Sequence, residues 1–197
     1  MKVGFKKVDV ERIHKKLERI NFSKRPEVMR NAMHQVGEIV RRQLISNVSG
    51  RILKRRTGKL AQSIQSKVMT NGLSVETGSG VKSGSPLPYS DIHEKGGTIK
   101  PKNAKYLTIP TSFAMTRAGA AKFTAKDLFN TNPGKVFIAK DMIFLKTGKQ
   151  SIKPMFILKK EVNIPARRYL STTADQVRTR VVRVISGALK RELERNV

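Results

Sequence analysis

Three neighbouring residues carry side chains that could bind a metal ion or move protons. Asp91, His93 and Glu94 are close in sequence, and a metal-dependent nuclease needs several carboxylates converging on metal ions about 4 Å apart. The chain has only 14 acidic residues, and Asp91 and Glu94 are their one close cluster outside the long predicted helices. An HExxH zinc motif is incomplete, because Gly97 stands where its second histidine would be. The sequence therefore favours a structural turn here over a metal site.

Two Thr-Gly-Lys tripeptides have part of the pattern of a phosphate-binding loop. That loop also requires a glycine five positions before the glycine of the tripeptide, but Leu53 and Ile143 occupy those positions. The chain also lacks cysteine and the G-x-S-x-G motif that surrounds a nucleophilic serine. We therefore predict a protein that is not an enzyme, with no catalytic residue, no metal and no cofactor.

The chain carries a large excess of positive charge. Its 197 residues include 41 Lys and Arg against 14 Asp and Glu, which gives a formal net charge of +27. Basic residues occur along the whole chain, so the excess belongs to the folded body and not to a basic tail. A polyanion, most simply nucleic acid, is the expected partner. Without tryptophan or an aromatic RNA-binding signature, the chain would contact phosphates and not base edges.

Two groups of basic residues are the candidate contacts to a polyanion. One group surrounds the predicted end of the first long helix, and the other lies on the last helix. A solvated basic face with scattered partners is the alternative reading of the same residues, and the sequence leaves both open. The candidates are Arg51, Lys54, Arg55, Arg56 and Lys59 in the first group, and Arg178, Arg180 and Arg183 in the second.

Periodic apolar residues predict helices in both terminal parts of the chain. Apolar residues at steps of three and four form one face of a helix. We expect Ser23 to cap the first long helix and Ser171 or Thr172 to cap the last, with a shorter helix between Val10 and Ile20. The first long helix should fray near residues 47–50. The two long stripes are Met29, Met33, Val36, Val40 and Leu44, and Val177, Val181, Val184, Ile185 and Ala188.

The middle of the chain has the composition of β-structure. The pair Asn71-Gly72 favours a two-residue type I′ hairpin between strands at Ser63–Met69 and Leu73–Thr77. After it, Tyr89–Lys95 predicts two helical turns that end at the next two glycines. Further strands are predicted at Thr98–Lys100, Tyr106–Ile109, Val136–Ala139, Met142–Leu145 and Met155–Val162.

The order of these elements predicts an α+β fold. A mostly antiparallel sheet would pack against a long N-terminal helix and a C-terminal helix. Residues 111–134 have no clear period and are predicted to form a long loop excursion that orders only against a partner. We divide the chain into a helical lead-in at 1–54 and an α+β core at 55–197, and expect the two to form one folded unit.

Three motifs occur in a definite order along the chain. They are Arg56–Leu60 with Ser63-Ile64, then Tyr89–Ile99 with Lys105–Pro110, then Met155–Leu158 with Val162–Leu170. In this order the chain resembles the virion-morphogenesis, or tail-completion, proteins of bacteriophages of the phage Mu type. Neck and minor tail proteins of long-tailed phages share the wider pattern. The resemblance covers roughly residues 55–195, and Arg168 departs from it by standing where the family usually has proline.

The resemblance implies a structural virion protein without catalysis, which joins the DNA-filled head to the tail or finishes the top of the tail, usually as a ring. The implied partners are further copies of the chain, a tail-terminator or tail-tube protein, a head-side adaptor or stopper, and non-specific double-stranded DNA passing through. No membrane is implied, and the protein would occur in the virion and in the host cytoplasm during assembly. The implied interface residues are Tyr89, His93, Glu94, Gly96, Gly97, Pro165, Arg167 and Tyr169.

Two other functions compete with this one. A ribosome-associated or DNA-coating basic protein would use the same charge to bind nucleic acid directly. A metal-dependent nuclease of phage origin would depend on His93 and Glu94. Salt-dependent DNA binding by the free monomer would favour the first of these, and divalent-ion-dependent cleavage the second.

Overall fold

The structure is a computed structural model that describes residues 26–82, 84, 87 and 89–195. Within these residues the fold is α+β, as predicted. The helices are α1 (Pro26–Ser46), α2 (Lys59–Ser63), α3 (Ser90–Lys95), α4 (Ala125–Thr131) and α5 (Tyr169–Arg195). The strands are β1 (Ile64–Val68), β2 (Val75–Ser79), β3 (Gly97–Ile99), β4 (Leu107–Pro110), β5 (Val136–Ala139), β6 (Met142–Lys146), β7 (Ile152–Lys159) and β8 (Val162–Ile164).

All the strand pairs are antiparallel, which agrees with the predicted sheet type. Strand β1 pairs with β2 and β3 pairs with β8, while the remaining strands form a four-stranded sheet in the order β4-β7-β6-β5. The predicted Ser23 cap and the predicted helix between Val10 and Ile20 lie outside the described residues. Among the described residues, no helix combines the length and the apolar character needed to cross a membrane.

The chain divides into two compact units, each built from segments that are distant in sequence. Of the described residues, unit 1 comprises 26–47, 61–82, 84, 87 and 170–195. Unit 2 comprises 48–60 and 89–169. The predicted division between residues 54 and 55 falls within the Val48–Leu60 segment of unit 2 and at none of the unit boundaries.

Unit 1 is built around the apolar stripe of α1. Met29 and Met33 are buried in a cluster with Ala188 of α5, and valines of the β1–β2 hairpin pack against the same cluster. The helix approaches the hairpin closely at Gly37, where any Cβ would collide with the hydroxyl of Ser66. The predicted stripes on α1 and α5 are therefore the faces that build this core.

The first long helix ends near residues 47–50, where the sequence predicts, but this end is anchored and not frayed. Asn47 is fully buried, and its Nδ2 donates to Oγ1 of Thr173 at 2.7 Å and to Oε1 of Gln176 at 2.9 Å. The chain kinks after Asn47 and does not continue as a helix, because Ser49 (φ −104°, ψ 17°) and Gly50 (φ 142°, ψ −19°) have non-helical backbone angles. The amide of Asn47 thus joins α1 to α5 within unit 1 through long-range bonds that the local sequence does not reveal.

The predicted hairpin forms, but its turn differs from the predicted one. Strands β1 and β2 pair from Ile64 with Ser79 to Val68 with Val75. Only Gly72 of the Asn-Gly pair has a positive φ, at 67°, whereas a type I′ turn needs two such residues. The side chain of Asn71 accepts a hydrogen bond from the backbone N–H of Leu73 at 3.0 Å, which stabilises a longer loop instead.

Residues 111–134 are ordered, so the prediction of a segment that orders only against a partner is wrong. The segment contains a 3₁₀ turn at Ser112–Ala114 and helix α4. Ala114 and Leu128 are buried with Ile143, Met155 and Phe156 in the core of unit 2. The apolar residues of this segment are few and irregularly spaced, but Ala114 and Leu128 reach the core beside the four-stranded sheet, with Phe123 and Ala125 packed against it.

Two further boundaries differ from the prediction. The single strand predicted at Met155–Val162 is two strands, β7 and β8, which a short turn separates. Helix α5 begins at Tyr169, so Ser171 and Thr172 lie inside the helix and do not cap it. Arg168, immediately before this helix, has a positive φ of 48°, which is uncommon for a residue with a side chain.

Candidate functional site

The second and third sequence motifs meet in unit 2, at a place that we call the motif junction: α3, Gly96, β3, β8 and residues 165–169. Strands β3 and β8 pair from Gly97 with Ile164 to Ile99 with Val162. Beyond the strands, the backbone N–H of Arg167 donates to the carbonyl of His93 at 2.8 Å. Two segments some seventy residues apart are thus joined through their backbones.

Gly96 allows this close approach. It caps α3 with φ 72° and ψ −178°, a conformation that residues with a Cβ rarely adopt, and its N–H donates to the carbonyl of Ile92 at 2.9 Å. A Cβ at this position would lie 2.7 Å from the backbone nitrogen of Ala166 and 2.9 Å from the carbonyl oxygen of Ile164. Gly97 also has a positive φ, at 145°. The predicted end of the helix at these two glycines is confirmed.

Tyr169 fastens the start of α5 to α3. Its side chain is only 2% exposed, and its hydroxyl donates to the carbonyl oxygen of Ser90 at 3.4 Å. Burial, with the negative charges of Glu94 and Asp91, raises the pKa of Tyr169 to about 12. The phenol therefore stays neutral at physiological pH, as a buried hydrogen-bonding anchor must.

His93 is the half-buried ionisable group of the junction. Burial lowers its pKa below the usual 6.5, and the positive charges of Arg167 and Arg56 lower it further. The Tyr89 ring and the imidazole form a T-shaped contact with their centroids 6.2 Å apart, and no described group bonds to the buried Nδ1 of His93. Since Arg56 belongs to the first motif, all three motifs influence this site.

The residues predicted as an interface divide into a buried set and an exposed set. Tyr169 is buried and His93 is partly buried, whereas Tyr89, Pro165 and Arg167 are exposed. Within the described residues, no three His, Asp or Glu side chains are grouped so that they could hold a metal ion. The junction thus combines a rigid backbone with an exposed surface of one aromatic ring, one proline and one guanidinium.

The two predicted basic groups belong to different units and are both exposed. The first group, between Arg51 and Lys59, lies in unit 2, and the second lies on α5 in unit 1. Arg180 donates to Oε1 of Gln43 at 3.0 Å. Among the described residues, none of the eight side chains forms an ion pair with a carboxylate. Their charges are therefore available to an anionic partner.

The sequence did not reveal a cleft of about 530 Å³ in unit 2. The 3₁₀ turn at Ser112–Ala114, α4, β6 and β7 each contribute to its lining, which includes Phe113, Lys122 and Lys153. These residues share no motif and no periodicity, so no sequence signal could have identified them. Their association depends on the packing of residues 111–134 against the sheet.

The described residues thus define a basic α+β protein of two units, with a backbone-linked motif junction in unit 2. Residues 5–145 match DUF6441, a family of unknown function. This match covers well over half of the chain, and the protein belongs to that family. No curated protein and no solved structure matches the chain.

Proposed function

We propose that the chain is a structural protein of the bacteriophage virion. It acts at the head–tail junction or the top of the tail, as a non-enzymatic ring subunit for tail completion or the neck. Its partners are further copies of itself, a tail-terminator or tail-tube protein, and a head-side adaptor or stopper. Double-stranded DNA passes through the ring without sequence-specific contacts.

The convergence of the motifs at the motif junction is the observation that carries this proposal. The second and third motifs are each short, but their backbones are joined by the pairing of β3 with β8 and by the bond from Arg167 to His93. The residues that are exposed there, Tyr89, Pro165 and Arg167, present an aromatic and a charged group to a neighbour. Aromatic residues and arginines are enriched in protein interfaces.

The sheet edges and the basic groups suit a ring around DNA. Strands β4 and β5 are the outer strands of the four-stranded sheet, and Ile138 on β5 is 60% exposed. Such an edge can pair with or pack against another subunit. The exposed basic residues between Arg51 and Lys59 supply charges that phosphates attract regardless of base sequence.

Particle assembly tests the proposal directly. In a phage genome that encodes the chain, a nonsense mutation in its gene should give separate heads and tails in electron micrographs, and the intact gene supplied in trans should restore whole particles. The purified chain, mixed with its tail or neck partners, should form closed rings. Normal infectious particles without the chain would refute the proposal.

The basic groups provide a second test within assembled particles. Arg51→Ala, Arg55→Ala and Arg56→Ala together should reduce DNA retention, whereas the exposed unit 2 lysines at 126, 135 and 149 provide a matched triple control. If the arginine variant retains DNA as well as the control, this group does not line the DNA passage.

Direct nucleic-acid binding by a ribosome-associated or DNA-coating protein is the second candidate function, favoured by the same exposed and unpaired arginines. The two candidates differ in what the free monomer does. Nanomolar and steeply salt-dependent binding to DNA by the monomer favours the second candidate. Weak binding by the monomer, together with ring formation in the presence of tail or neck proteins, favours the virion role.

A further inference from the structure

The cleft of unit 2 has the size and the lining of a small-ligand site. Its volume of about 530 Å³ lies within the range of roughly 300–1,000 Å³ that is usual for such sites. The apolar part of the lining comes from core residues, including Leu128 and Met155, which are 3% and 4% exposed. Because these residues also belong to the core of unit 2, this wall of the cleft is rigid.

An exposed aromatic ring lies beside one ammonium group in this cleft, and a second ammonium group bonds to the backbone of the same residue. The side chain of Phe113 is 48% exposed. Nζ of Lys153 lies 6.0 Å from the centroid of its ring, and Nζ of Lys122 donates to its backbone carbonyl at 3.4 Å. An exposed ring beside lysines is the pattern with which proteins hold an unstacked base and its phosphate.

The one carboxylate in the lining, that of Asp127, is hydrogen-bonded to the N-cap residue of its own helix. Asp127 Oδ2 accepts hydrogen bonds from the N–H of Thr124 at 2.9 Å and from its hydroxyl at 2.8 Å, as part of the capping box of α4. These bonds lower the pKa of Asp127 and keep it ionised. The two lysines outnumber this single carboxylate, so the lining retains a positive charge.

Some polar groups of the lining are bonded within unit 2, and others are not. The hydroxyl of Thr131 donates to the carbonyl of Asp127 at 2.8 Å, and Nδ2 of Asn132 donates to the same hydroxyl at 2.9 Å. Within the described part of the chain, the hydroxyl of Ser112 and Oδ1 of Asn132 have no partner. These two groups are free to bond to the polar edge of a ligand.

We propose that this cleft binds a nucleotide. The base packs against the ring of Phe113, the phosphate lies between Lys122 and Lys153, and Ser112 and Asn132 bond to the base or the sugar. The same chemistry can come from a free nucleotide or from the unpaired end of a DNA strand. This proposal rests on the cleft alone. It does not depend on the assembly of subunits into a ring.

Calorimetric titration of the full-length chain with thymidine monophosphate, thymidine and inorganic phosphate tests this proposal. The monophosphate should bind more tightly than either of its parts. Phe113→Leu removes the flat ring and should weaken the binding of the monophosphate about tenfold or more. It should leave the binding of phosphate unchanged. Lys153→Gln should weaken the binding of both the monophosphate and phosphate. Lys160 is exposed and lies outside the cleft, so Lys160→Gln should weaken neither.

Further variants and ligands complete the test. Phe113→Tyr keeps a flat ring and should keep the affinity, which separates loss of stacking from loss of folding. A strand end is the ligand if a short single-stranded oligonucleotide binds at least tenfold more tightly than the monophosphate and loses this advantage in Phe113→Leu. If the two affinities are equal, the free nucleotide is the ligand. The proposal is overturned if the monophosphate binds no more tightly than phosphate, or if Lys160→Gln weakens binding as much as Lys153→Gln.

Discussion

At the residue scale, the motif junction depends on contacts between backbones. Gly96 lies against the backbone of Ala166, and the N–H groups of Arg167 and Arg168 donate to the carbonyls of His93 and Glu94 at 2.8 and 3.3 Å. Such contacts tolerate many side chains at the bonded positions but no Cβ at Gly96. The glycine at the end of α3 is therefore a requirement of the tertiary structure as well as a helix stop.

The substitution Gly96→Ala should destabilise the chain strongly. The strained φ and ψ and the collision with the backbones of Ile164 and Ala166 should together lower the free energy of unfolding by about 3 kcal/mol or more. Gly134 has the same φ of 72° but nothing within 4 Å of a Cβ, so Gly134→Ala should cost only about 1 kcal/mol. Denaturant unfolding measures both, and equal losses would contradict the role of the close approach.

The environment of His93 should make stability depend on pH. Because the folded chain lowers the pKa of this group below its usual 6.5, the unfolded chain binds the proton more readily. The stability is therefore greatest above pH 6.5 and should fall as the pH drops below that value. In thermal unfolding from pH 7 to pH 5, His93→Gln should lose less stability than the natural chain.

The exposed residue His34 offers the control for this experiment. The variant His34→Gln should keep the pH profile of the natural chain, because it removes an exposed imidazole on α1, outside the motif junction. If His93→Gln loses as much stability as the natural chain over this range, another group is responsible for the pH dependence.

At the element scale, α4 shows how a short helix forms in a segment without periodicity. The hydroxyl of Thr124 accepts from the N–H of Asp127 at 3.1 Å, while the Asp127 carboxylate accepts from the N–H of Thr124. This capping box satisfies backbone donors at the start of the helix. Leu128 then buries the helix against the four-stranded sheet. The cap and the Leu128 anchor together hold this short helix.

Removal of the cap should loosen α4. Thr124→Ala should cost about 1 kcal/mol locally, since the N–H of Asp127 loses its acceptor. Hydrogen exchange of the amides in residues 125–131 should then become about fivefold faster. Thr124→Ser keeps the hydroxyl and should exchange at nearly the natural rate. Unchanged exchange in the alanine variant would show that Leu128 alone holds the helix.

At the scale of the whole molecule, most of the positive charge on residues that the structure describes is not paired with carboxylates. The described ion pairs include those of Glu38 with Arg41 at 2.9 Å and with Arg42 at 3.7 Å. The hydrogen bond and charge of Arg41 lower the pKa of Glu38, so the pair persists at physiological pH. A net charge of +27 cannot be offset by such pairs, and its self-repulsion favours an anionic partner.

The salt dependence of DNA binding should report how many phosphates the first basic group contacts. Each contact contributes about 0.9 to the slope of log affinity against log salt. Arg51→Ala, Arg55→Ala and Arg56→Ala together should reduce that slope by up to about 2.7. The lysine control at residues 126, 135 and 149 should change it less. Filter binding between 50 and 200 mM salt measures both slopes, and equal reductions would assign the binding to diffuse charge.

Local patterns in the sequence were sufficient to predict the elements that depend on interactions between residues close in sequence. The stripe from Met29 to Leu44 predicted α1, and the pair at Asn71 predicted the β1–β2 hairpin, since period and turn preference act over a few residues. The two glycines after α3 predicted its end for the same reason. The α+β class followed from the order of these elements.

Only the tertiary structure decided how distant segments meet. Burial of Ala114 and Leu128 against the sheet ordered residues 111–134 and created the cleft around Phe113, although neither residue stands in a periodic pattern. The pairing of β3 with β8 brought Arg167 to His93, and the buried amide of Asn47 joined α1 to α5. Such contacts depend on chain packing across dozens of residues, so a pattern with a span of a few residues carries no record of them.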